Sequence, residues 1–297
     1  MHEIKEKSII EISNLSKSFG DIHAVKNISF EVKKGELFAF LGVNGAGKST
    51  TIRILLGLIS ASEGRVEIFG KDIVKNKVEI LKDIGYLPSE AIFYHGMKVK
   101  DILELSAKLR GVDCSAEAAR LCERLELDTT RKVDELSLGN RKKVGIVCAF
   151  QHKPRLYILD EPTSGLDPLM QREFYNILKE RTDEGATAFL SSHILSEIQR
   201  YCNRAAIIRE GRILTSDYVE RLGYTGAKRV VLKGLKGDFD IENAKDLAEN
   251  GDSVSFLYGG RPDELLKLLC DRSFEDITIA DPDLDEIFMH YYAKEES

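Results

Sequence analysis

The sequence of 297 residues has few cysteines, and none of them forms a pattern that binds a metal. Its five cysteines include no CxxC pair and no His/Cys cluster with the spacing of metal ligands. An odd number of cysteines in a chain of this length is typical of reduced thiols in a cytosolic protein. The pattern therefore argues against a disulfide-linked secreted domain and against a zinc-binding module.

Long apolar runs are also missing. No segment approaches the roughly 18 consecutive apolar residues that a membrane-spanning helix needs. The charged N-terminal stretch MHEIKEKSII lacks the apolar centre of a signal peptide. We therefore expect a soluble, cytoplasmic protein that reaches the inner face of a membrane only through a partner.

The chain has no strongly basic part. The formal net charge is −6, and from Asp217 to the C-terminus 10 basic residues face 19 acidic ones. The first 216 residues are therefore only slightly positive, far from the dense positive charge of a nucleic-acid surface. No nucleic-acid partner is expected.

The order of predicted elements indicates an α/β fold. Apolar and polar residues alternate in SIIEISNLSKSF and NISFEV, whereas LFAFLG, LYILD and TAFLSS are short apolar runs typical of buried strands. Helical patterns such as VKDILELSAKLRG and PLMQREFYNILKERT separate these strands. Strands that alternate with helices favour a largely parallel sheet. We expect this domain to cover residues 1–216.

A second, smaller domain is expected over residues 217–297. Its strand patterns, RVVLKGL, SVSFLYG and EDITIA, alternate with the helical patterns IENAKDLAEN, PDELLKLLCDR and DLDEIFMHYY. This appendage is acidic and close to the lower size limit for independent folding. The sequence therefore predicts a small C-terminal α/β accessory domain.

The stretch GVNGAGKST, Gly42–Thr50, follows a predicted buried strand and opens a helix. Its glycines allow backbone N–H groups to surround phosphate oxygens at the positive end of the helix. Lys48 adds a full charge for the β- and γ-phosphates, and the Ser49 hydroxyl can bind Mg²⁺. The pattern predicts a P-loop for ATP and Mg²⁺, with nucleotide-binding residues Gly42, Asn44, Gly45, Ala46, Gly47, Lys48, Ser49 and Thr50.

The stretch LYILDEP supplies the second half of this predicted site. Two carboxylates follow an apolar strand at its C-terminal end, where open α/β sheets bind their ligands. Asp160 is suited to hold Mg²⁺, and Glu161 is suited to polarise the water that attacks the γ-phosphate. No NKxD sequence, which recognises guanine in GTPases, occurs in the chain.

The stretch LSLGN resembles the signature sequence LSGGQ of ATP-binding cassette (ABC) ATPases. In that family the signature turn binds the γ-phosphate of the ATP that a second subunit holds. The resemblance therefore implies a second ABC ATPase chain as a partner, with Ser137 and Gly139 as the phosphate-binding residues. The residues NRKK that follow are predicted to form a solvated helix face near the partner's phosphates.

Other motifs resemble the same family and occur in its order. SGLD ends at Asp167 and resembles the D-loop of the dimer interface. SSH ends at His193 and resembles the switch whose histidine contacts the γ-phosphate. KSFG contains Phe19 as the adenine-stacking aromatic. IGYLPSE, residues 84–90, resembles the Q-loop that couples the nucleotide site to a membrane partner.

The resemblance implies a P-loop NTPase core of ABC type. Its mixed, largely parallel sheet carries a helical signature subdomain at about residues 90–150. The implied catalytic residues are Lys48, Glu161 and His193. The implied metal ligands are Ser49, Asp160 and the Q-loop residue Ser89.

Two motifs depart from the family pattern. In the signature, Leu138 replaces a Gly and Asn140 a Gln. In the Q-loop, Ser89 stands where Gln is usual, and its hydroxyl is too short to reach Mg²⁺ from the same backbone position. Either a water molecule fills this gap, or Glu90 takes over part of the role.

The segment GYLPSEAIFYHGMKVKDILEL, together with LSLGNRKK and DLDEIFMHYY, resembles cassettes that serve ABC-2-type exporters. This implies an ATPase that dimerises on ATP and drives a separate integral membrane permease exporting a drug, peptide antibiotic, lipid or glycan. The alternatives are a soluble ABC ATPase and a slowly hydrolysing sensor or immunity component. An importer stays possible.

Overall fold

A computed structural model of the chain describes residues 8–222, 228–235, 244–270, 272–280 and 282. The chain divides into two compact units, Met1–Asp217 and Tyr218–Ser297. The predicted closing helix DLDEIFMHYY lies outside the described residues.

The first unit contains two sheets and the helices that pack around them. Its strands are β1 (Ser8–Phe19), β2 (Ile22–Lys33), β3 (Leu37–Leu41), β4 (Glu63–Ile68), β5 (Lys71–Asp72), β6 (Ile84–Leu87), β7 (Leu156–Asp160), β8 (Thr187–Ser192), β9 (Arg204–Arg209) and β10 (Arg212–Tyr218). Its helices are α1 (Lys48–Leu55), α2 (Ile73–Lys82), α3 (Val99–Arg110), α4 (Ser115–Arg124), α5 (Leu138–Phe150), α6 (Pro168–Asp183) and α7 (Leu195–Tyr201). The sequence patterns did not single out β4, β5 and α2.

The larger sheet has the strand order β10-β9-β3-β8-β7-β6, and the β9–β3, β3–β8, β8–β7 and β7–β6 pairs are parallel. Every residue of β3, β7 and β8 is buried, which explains why these strands are continuous apolar runs in the sequence. Because the strands are parallel, Leu41, Asp160 and Ser192 end at the same edge of the sheet. This edge positions the residues that follow each strand.

The smaller sheet, β2-β1-β4-β5, is antiparallel and shares a hydrophobic core with the larger one. Phe30 of β2 stacks on Phe38, Phe40 and Phe189 of the larger sheet, with ring centroids 5.4–6.0 Å apart. Such aromatic pairs stabilise a core beyond the apolar area that they bury. The cluster holds the two sheets together.

Helices α3, α4 and α5 and a short 3₁₀ turn at Val133–Glu135 fall within the segment predicted to be helical. Charged side chains join α4 to α6. Arg124 donates to Glu173 at 2.5 Å and to Glu180 at 2.6 Å, and Arg120 donates to Glu180 at 3.2 Å. These ion pairs link the helical segment to a helix that packs on β8.

After the short helix α8 (Val219–Leu222), the second unit is an antiparallel sheet with a helix. Its elements are β11 (Lys228–Lys233), β12 (Ala244–Asn250), β13 (Ser253–Tyr258), α9 (Pro262–Cys270) and β14 (Asp276–Ala280), in the strand order β12-β13-β11-β14. A small core unites the sheet with α9 and consists of Val230, Leu232, Phe256, Tyr258, Leu265 and Leu269. The described part of the second unit is thus a sheet with a helix packed on it.

One predicted helix in this unit is wrong. The pattern IENAKDLAEN predicts a helix, but its described part, Ala244–Asn250, forms β12. A tight turn pairs Asn250 with Ser253, and Gly251 adopts the left-handed backbone (φ 63°) that this turn requires. The segment prefers a helix locally, but its hydrogen bonds to the neighbouring strand β13 outweigh this preference.

Candidate nucleotide-binding site

The turn between β3 and α1 has the backbone geometry that only glycine accepts. Gly47 has a φ of 107°, and a Cβ there would lie 2.5 Å from the carbonyl oxygen of Ala24. A Cβ at Gly42 would lie 2.4 Å from the carbonyl oxygen of Ile208. The first N–H groups of α1 have no acceptor within the helix and point from its positive end. The turn therefore fits an anionic phosphate chain, as the P-loop pattern predicts.

Lys48 lies at the centre of this edge and is only 6% exposed. Its Nζ donates to the carbonyl oxygens of Gly42 at 2.6 Å and Val43 at 3.2 Å. The same Nζ forms an ion pair with Glu161 Oε1 at 3.2 Å. The lysine thus connects the P-loop to the carboxylates at the end of β7.

The two carboxylates have different partners. Asp160 is 3% exposed, and its Oδ1 accepts a hydrogen bond from Ser191 Oγ at 2.6 Å. Ser191 Oγ in turn accepts from the backbone N–H of Glu161 at 3.0 Å. His193 Nδ1 lies 2.8 Å from Glu161 Oε2. The structure therefore brings Glu161, His193 and Lys48 into direct contact and joins Asp160 to them through Ser191.

The sequence patterns did not single out Ser191, although it lies within the SSH motif. The available signal was its position: it pairs with Asp160 across neighbouring parallel strands that end at one edge. Its hydroxyl fixes the orientation of the carboxylate that is suited to a metal. The remaining P-loop residues, Asn44, Gly45, Ala46, Ser49 and Thr50, lie in the turn or the first turn of α1.

Three other predicted residues, Phe19, Ser89 and Ser137, belong to other segments of the chain. Phe19, at the end of β1, is 49% exposed, and Lys17 Nζ lies 4.8 Å from the centre of its ring. Ser89 follows β6, and Ser137 precedes α5. Within the ranges that the structure describes, none of these three has a hydrogen bond or ion pair to Lys48, Asp160, Glu161 or His193.

The signature turn forms a helix start. Ser137 is the N-cap of α5, and its Oγ accepts from the backbone N–H of Asn140 at 3.3 Å. A Cβ at Gly139 would lie 2.5 Å from the carbonyl oxygen of Gly165, so the turn packs closely against the SGLD segment. Leu138 is 57% exposed. The turn thus presents a helix N-terminus with one exposed apolar side chain.

Asp167 caps the next helix. Its Oδ1 accepts from the backbone N–H groups of Leu169 at 3.1 Å and Met170 at 3.0 Å, at the start of α6. The Asp167 side chain, which is predicted to contact the nucleotide, is therefore held in place by hydrogen bonds to the start of α6.

Glu197 is a further residue that the sequence patterns missed. Its Oε2 accepts hydrogen bonds from Thr163 Oγ1 and from the Tyr175 hydroxyl, each at 2.9 Å. Burial raises the pKa of Tyr175, so this hydroxyl stays protonated and donates. Thr163 lies shortly after Glu161 in the chain, and Glu197 lies shortly after His193. The hydrogen bond between Thr163 and Glu197 therefore joins the segment that follows β7 to the segment that follows β8.

The prediction that NRKK forms a solvated face is wrong for both lysines. Lys142 is 3% exposed and Lys143 is 8% exposed. Lys142 Nζ donates to the carbonyl oxygens of Ser89 at 2.8 Å and Pro88 at 3.2 Å. Burial lowers the pKa of Lys142 to about 8, although Asp160 and Glu161 act against this shift. The aliphatic stem of Lys142 follows the buried face of α5, which explains the error.

Comparison with known proteins identifies the family. The family described as ABC transporter matches residues 25–164. Over 95% of the chain, the sequence is 36% identical to the bacitracin transport ATP-binding protein BcrA of Bacillus licheniformis, of which 96% is covered. The chain belongs to the ATP-binding proteins of ABC transporters. The predicted family, the binding of ATP and the ATPase activity are thereby confirmed.

Two further matches agree with this membership in the ABC family. The linearmycin resistance ATP-binding protein LnrL of Bacillus subtilis is 32% identical, with 78% of this chain and 77% of LnrL covered. A solved structure of the ATP binding subunit of an ABC transporter is 32% identical, with a TM-score of 0.68 over 72% of this chain and 92% of that one. The predicted α/β P-loop fold of ABC type is confirmed.

In the described parts of the chain, no helix combines the length and the apolar character that crossing a membrane demands.

Replacing Leu138 by Gly should leave ATP hydrolysis within about twofold of wild type, because the side chain is largely exposed and the N-cap Ser137 is retained. The free energy of unfolding should fall by no more than about 1 kcal/mol, the cost of Gly in a helix. Steady-state phosphate release and thermal unfolding measure both effects.

Gly139→Ala is the contrasting variant, since its Cβ would meet the Gly165 carbonyl oxygen. A large loss of activity in Leu138→Gly would show that the variant signature has a role of its own.

Proposed function

We propose that this chain is the ATPase subunit of an ABC exporter, which dimerises on ATP and drives a separate membrane permease. The observation that carries the proposal is the similarity to a bacitracin transport protein along nearly the whole chain, residues of the second unit included. The similarity to a linearmycin resistance protein supports export in the same way. Among the substrates considered from the sequence, a drug or a peptide antibiotic is therefore favoured over a lipid or glycan.

The nucleotide site supports the chemistry of this role. Residues 1–216 would form the nucleotide-binding domain, and residues 217–297 the accessory domain. Lys48 would bind the β- and γ-phosphates, and Glu161 would take up the proton of the attacking water while His193 orients the carboxylate. Mg²⁺, when bound by Ser49 and Asp160, would neutralise charge that develops on the phosphate oxygens. The Ser191 hydroxyl, already bonded to Asp160, keeps that carboxylate oriented.

A second copy or a related chain would complete each site. The N-terminus of α5 offers the Ser137 hydroxyl, the Gly139 backbone and the positive end of the helix. Among the described residues, no hydrogen bond joins these groups to the chain's own Lys48, which is compatible with a contact to the partner's γ-phosphate. The SGLD segment packs against the same turn, so both would face the second subunit.

A groove beside the Q-loop fits a permease. It has a volume of about 850 Å³ and is lined by α2, α3 and the segment after the Q-loop. Several of its apolar side chains are strongly exposed: Ile92 is 82%, Tyr94 73%, Val78 76% and Leu109 80% exposed. Clustered exposed apolar residues mark interaction sites. The groove would seat a cytoplasmic segment of the permease and hold the chain at the inner face of the membrane.

The direct test is to tag the chain at native expression, solubilise membranes in mild detergent and identify the proteins that co-purify. A polytopic membrane protein is the expected result. Recovery of ribosomes or DNA, or of no partner when ATP is trapped, would instead favour the soluble ATPase or the sensor.

Replacing both Ile92 and Leu109 by Asp should reduce recovery of the membrane protein at least about fivefold, as expected when apolar anchors of an interface are lost. Basal ATP hydrolysis should be unchanged, because neither residue contacts the nucleotide site. The matched control is Leu58→Asp, which alters a side chain that is 56% exposed but does not line the groove. Equal recovery from the double variant and the control would contradict the assignment of the groove.

A further inference from the structure

Lys142 is a buried cation with an unusual pair of partners. It is 3% exposed, yet the two hydrogen-bond acceptors of its ammonium are backbone carbonyl oxygens, of Ser89 at 2.8 Å and of Pro88 at 3.2 Å. Burying a charge is costly unless it is paired and hydrogen-bonded. A neutral side chain of similar shape would avoid that cost, so the retained charge has a task other than filling space.

The position of Lys142 on α5 shows what it holds. Helix α5 lies against β6 along its length: a Cβ at Gly145 would be 2.8 Å from Leu87 Cδ1, and one at Gly85 would be 2.3 Å from the Ala149 carbonyl oxygen. These close contacts fix β6 itself. Beyond Leu87 the strand ends, and the Lys142 ammonium binds the next two backbone carbonyls, those of Pro88 and Ser89. Ala91, after the Q-loop, again packs on α5, since a Cβ at Gly145 would lie 3.2 Å from its Cβ.

The catalytic carboxylates act on the ammonium of Lys142. Asp160 and Glu161 both stabilise its charged form, although burial opposes it. The strand register agrees with this: Leu87 of β6 pairs with Leu159 of β7, so the Pro88 carbonyl that Lys142 binds follows β6 where Asp160 ends β7. Lys48 supplies a second positive charge from the P-loop side.

The Q-loop of this chain depends on the hydrogen bonds that Lys142 donates to its backbone. The side chains of Ser89 and Glu90 are both exposed, and neither forms a hydrogen bond among the described contacts. A serine cannot reach as far as the glutamine usual in this family. The conformation of residues 88–90 is therefore fixed through their backbone.

We propose that Lys142 is a positioning residue for ATP hydrolysis: its ammonium holds the Pro88 and Ser89 carbonyls and so fixes the Q-loop beside Asp160 and Glu161. The inference rests on the proposed function of the site and assigns to α5 a role in it. Lys142 is not a catalytic residue, because it acts through the backbone it binds. Its hydrogen bonds join helix α5, which begins at the signature, to the Q-loop. The helix and the loop thereby form a single mechanical unit.

The test compares Lys142→Met, which removes the ammonium, with Lys142→Arg, which retains a charged donor. Lys142→Met should lower kcat about tenfold and change the KM for ATP less than about twofold, because two hydrogen bonds from a charged donor are lost away from the phosphate contacts. Lys142→Arg should recover most of the lost kcat. The matched control is Lys77→Met, since Lys77 Nζ also donates to a backbone carbonyl, that of Gly57 at 2.6 Å.

Hydrogen exchange supplies a readout that does not depend on turnover. Amides of the peptide covering residues 84–91 should exchange faster in Lys142→Met than in wild type, and at the wild-type rate in Lys142→Arg and Lys77→Met. If Lys142→Met does not fold, Lys142→Gln keeps an uncharged donor and should give an intermediate exchange rate.

Wild-type kcat and wild-type exchange in Lys142→Met would overturn the inference. So would an equal loss of kcat in Lys77→Met, which would show a general effect of removing a lysine that donates to a backbone carbonyl. Absence of ATP hydrolysis by the wild-type chain would contradict the proposed function instead, and the exchange experiment would still decide the role of Lys142.

Discussion

Replacing Glu161 by Gln should reduce ATP hydrolysis by about 10²- to 10⁴-fold, the range typical of a lost general base, while ATP binding is retained. The amide has the shape of the carboxylate and can still accept a hydrogen bond from His193, which lies 2.8 Å away. It cannot take up a proton from water. The closed dimer should therefore accumulate with ATP bound.

Phosphate release, nucleotide titration and gel filtration with ATP measure these three effects. Glu210→Gln is a matched control, because Glu161 and Glu210 share a left-handed backbone conformation with a φ of 48°. Glu210 is an exposed turn residue, so its variant should behave as wild type. Fast turnover by Glu161→Gln would remove Glu161 from its proposed role.

Replacing Lys48 by Met should weaken ATP binding by about 10- to 100-fold, the cost of losing charge-assisted hydrogen bonds worth roughly 1.5–3 kcal/mol. The ammonium is already held against the P-loop by the carbonyl oxygens of Gly42 and Val43. A phosphate that enters the turn would meet this charge directly. The variant removes the charge without altering the glycines that shape the turn.

Titration with a fluorescent ATP analogue measures the affinity, and Lys77→Met again serves as the control. Thermal unfolding of the Lys48→Met and Glu161→Gln variants, alone and combined, measures the energy of their ion pair as a double-mutant cycle. Unchanged nucleotide affinity in Lys48→Met would contradict the assignment of the P-loop.

The parts of the site that could be predicted from the sequence are those that depend on local backbone demands. The glycines at 42 and 47 occupy places where a Cβ would collide with a neighbouring carbonyl. Asp160 follows an apolar run because its strand is buried on both faces. Ser137 stands where α5 needs an N-cap. Each of these requirements selects particular residue types within a short stretch of the chain, so it is visible in the sequence.

Features that depend on distant partners were harder to predict. The burial of Lys142 is set by residues 88 and 89, which are remote in the sequence. A signal was present, since Lys142, Gly145 and Ala149 follow the spacing of one helix face. The strand Ala244–Asn250 likewise depends on its pairing with β13, which overrides a local pattern that favours a helix.

The partly exposed ion pairs between α4 and α6 make the contact between these two helices sensitive to the salt concentration. Arg124 is 21% exposed and Glu173 is 24% exposed, so dissolved ions reach both charges. The distance over which charges act shrinks from about 10 Å at 0.1 M salt to about 3 Å at 1 M. We therefore expect salt to weaken the Arg124 pairs, whereas the ion pair of Arg181 with Glu117, whose side chains are 2% and 12% exposed, should be screened much less.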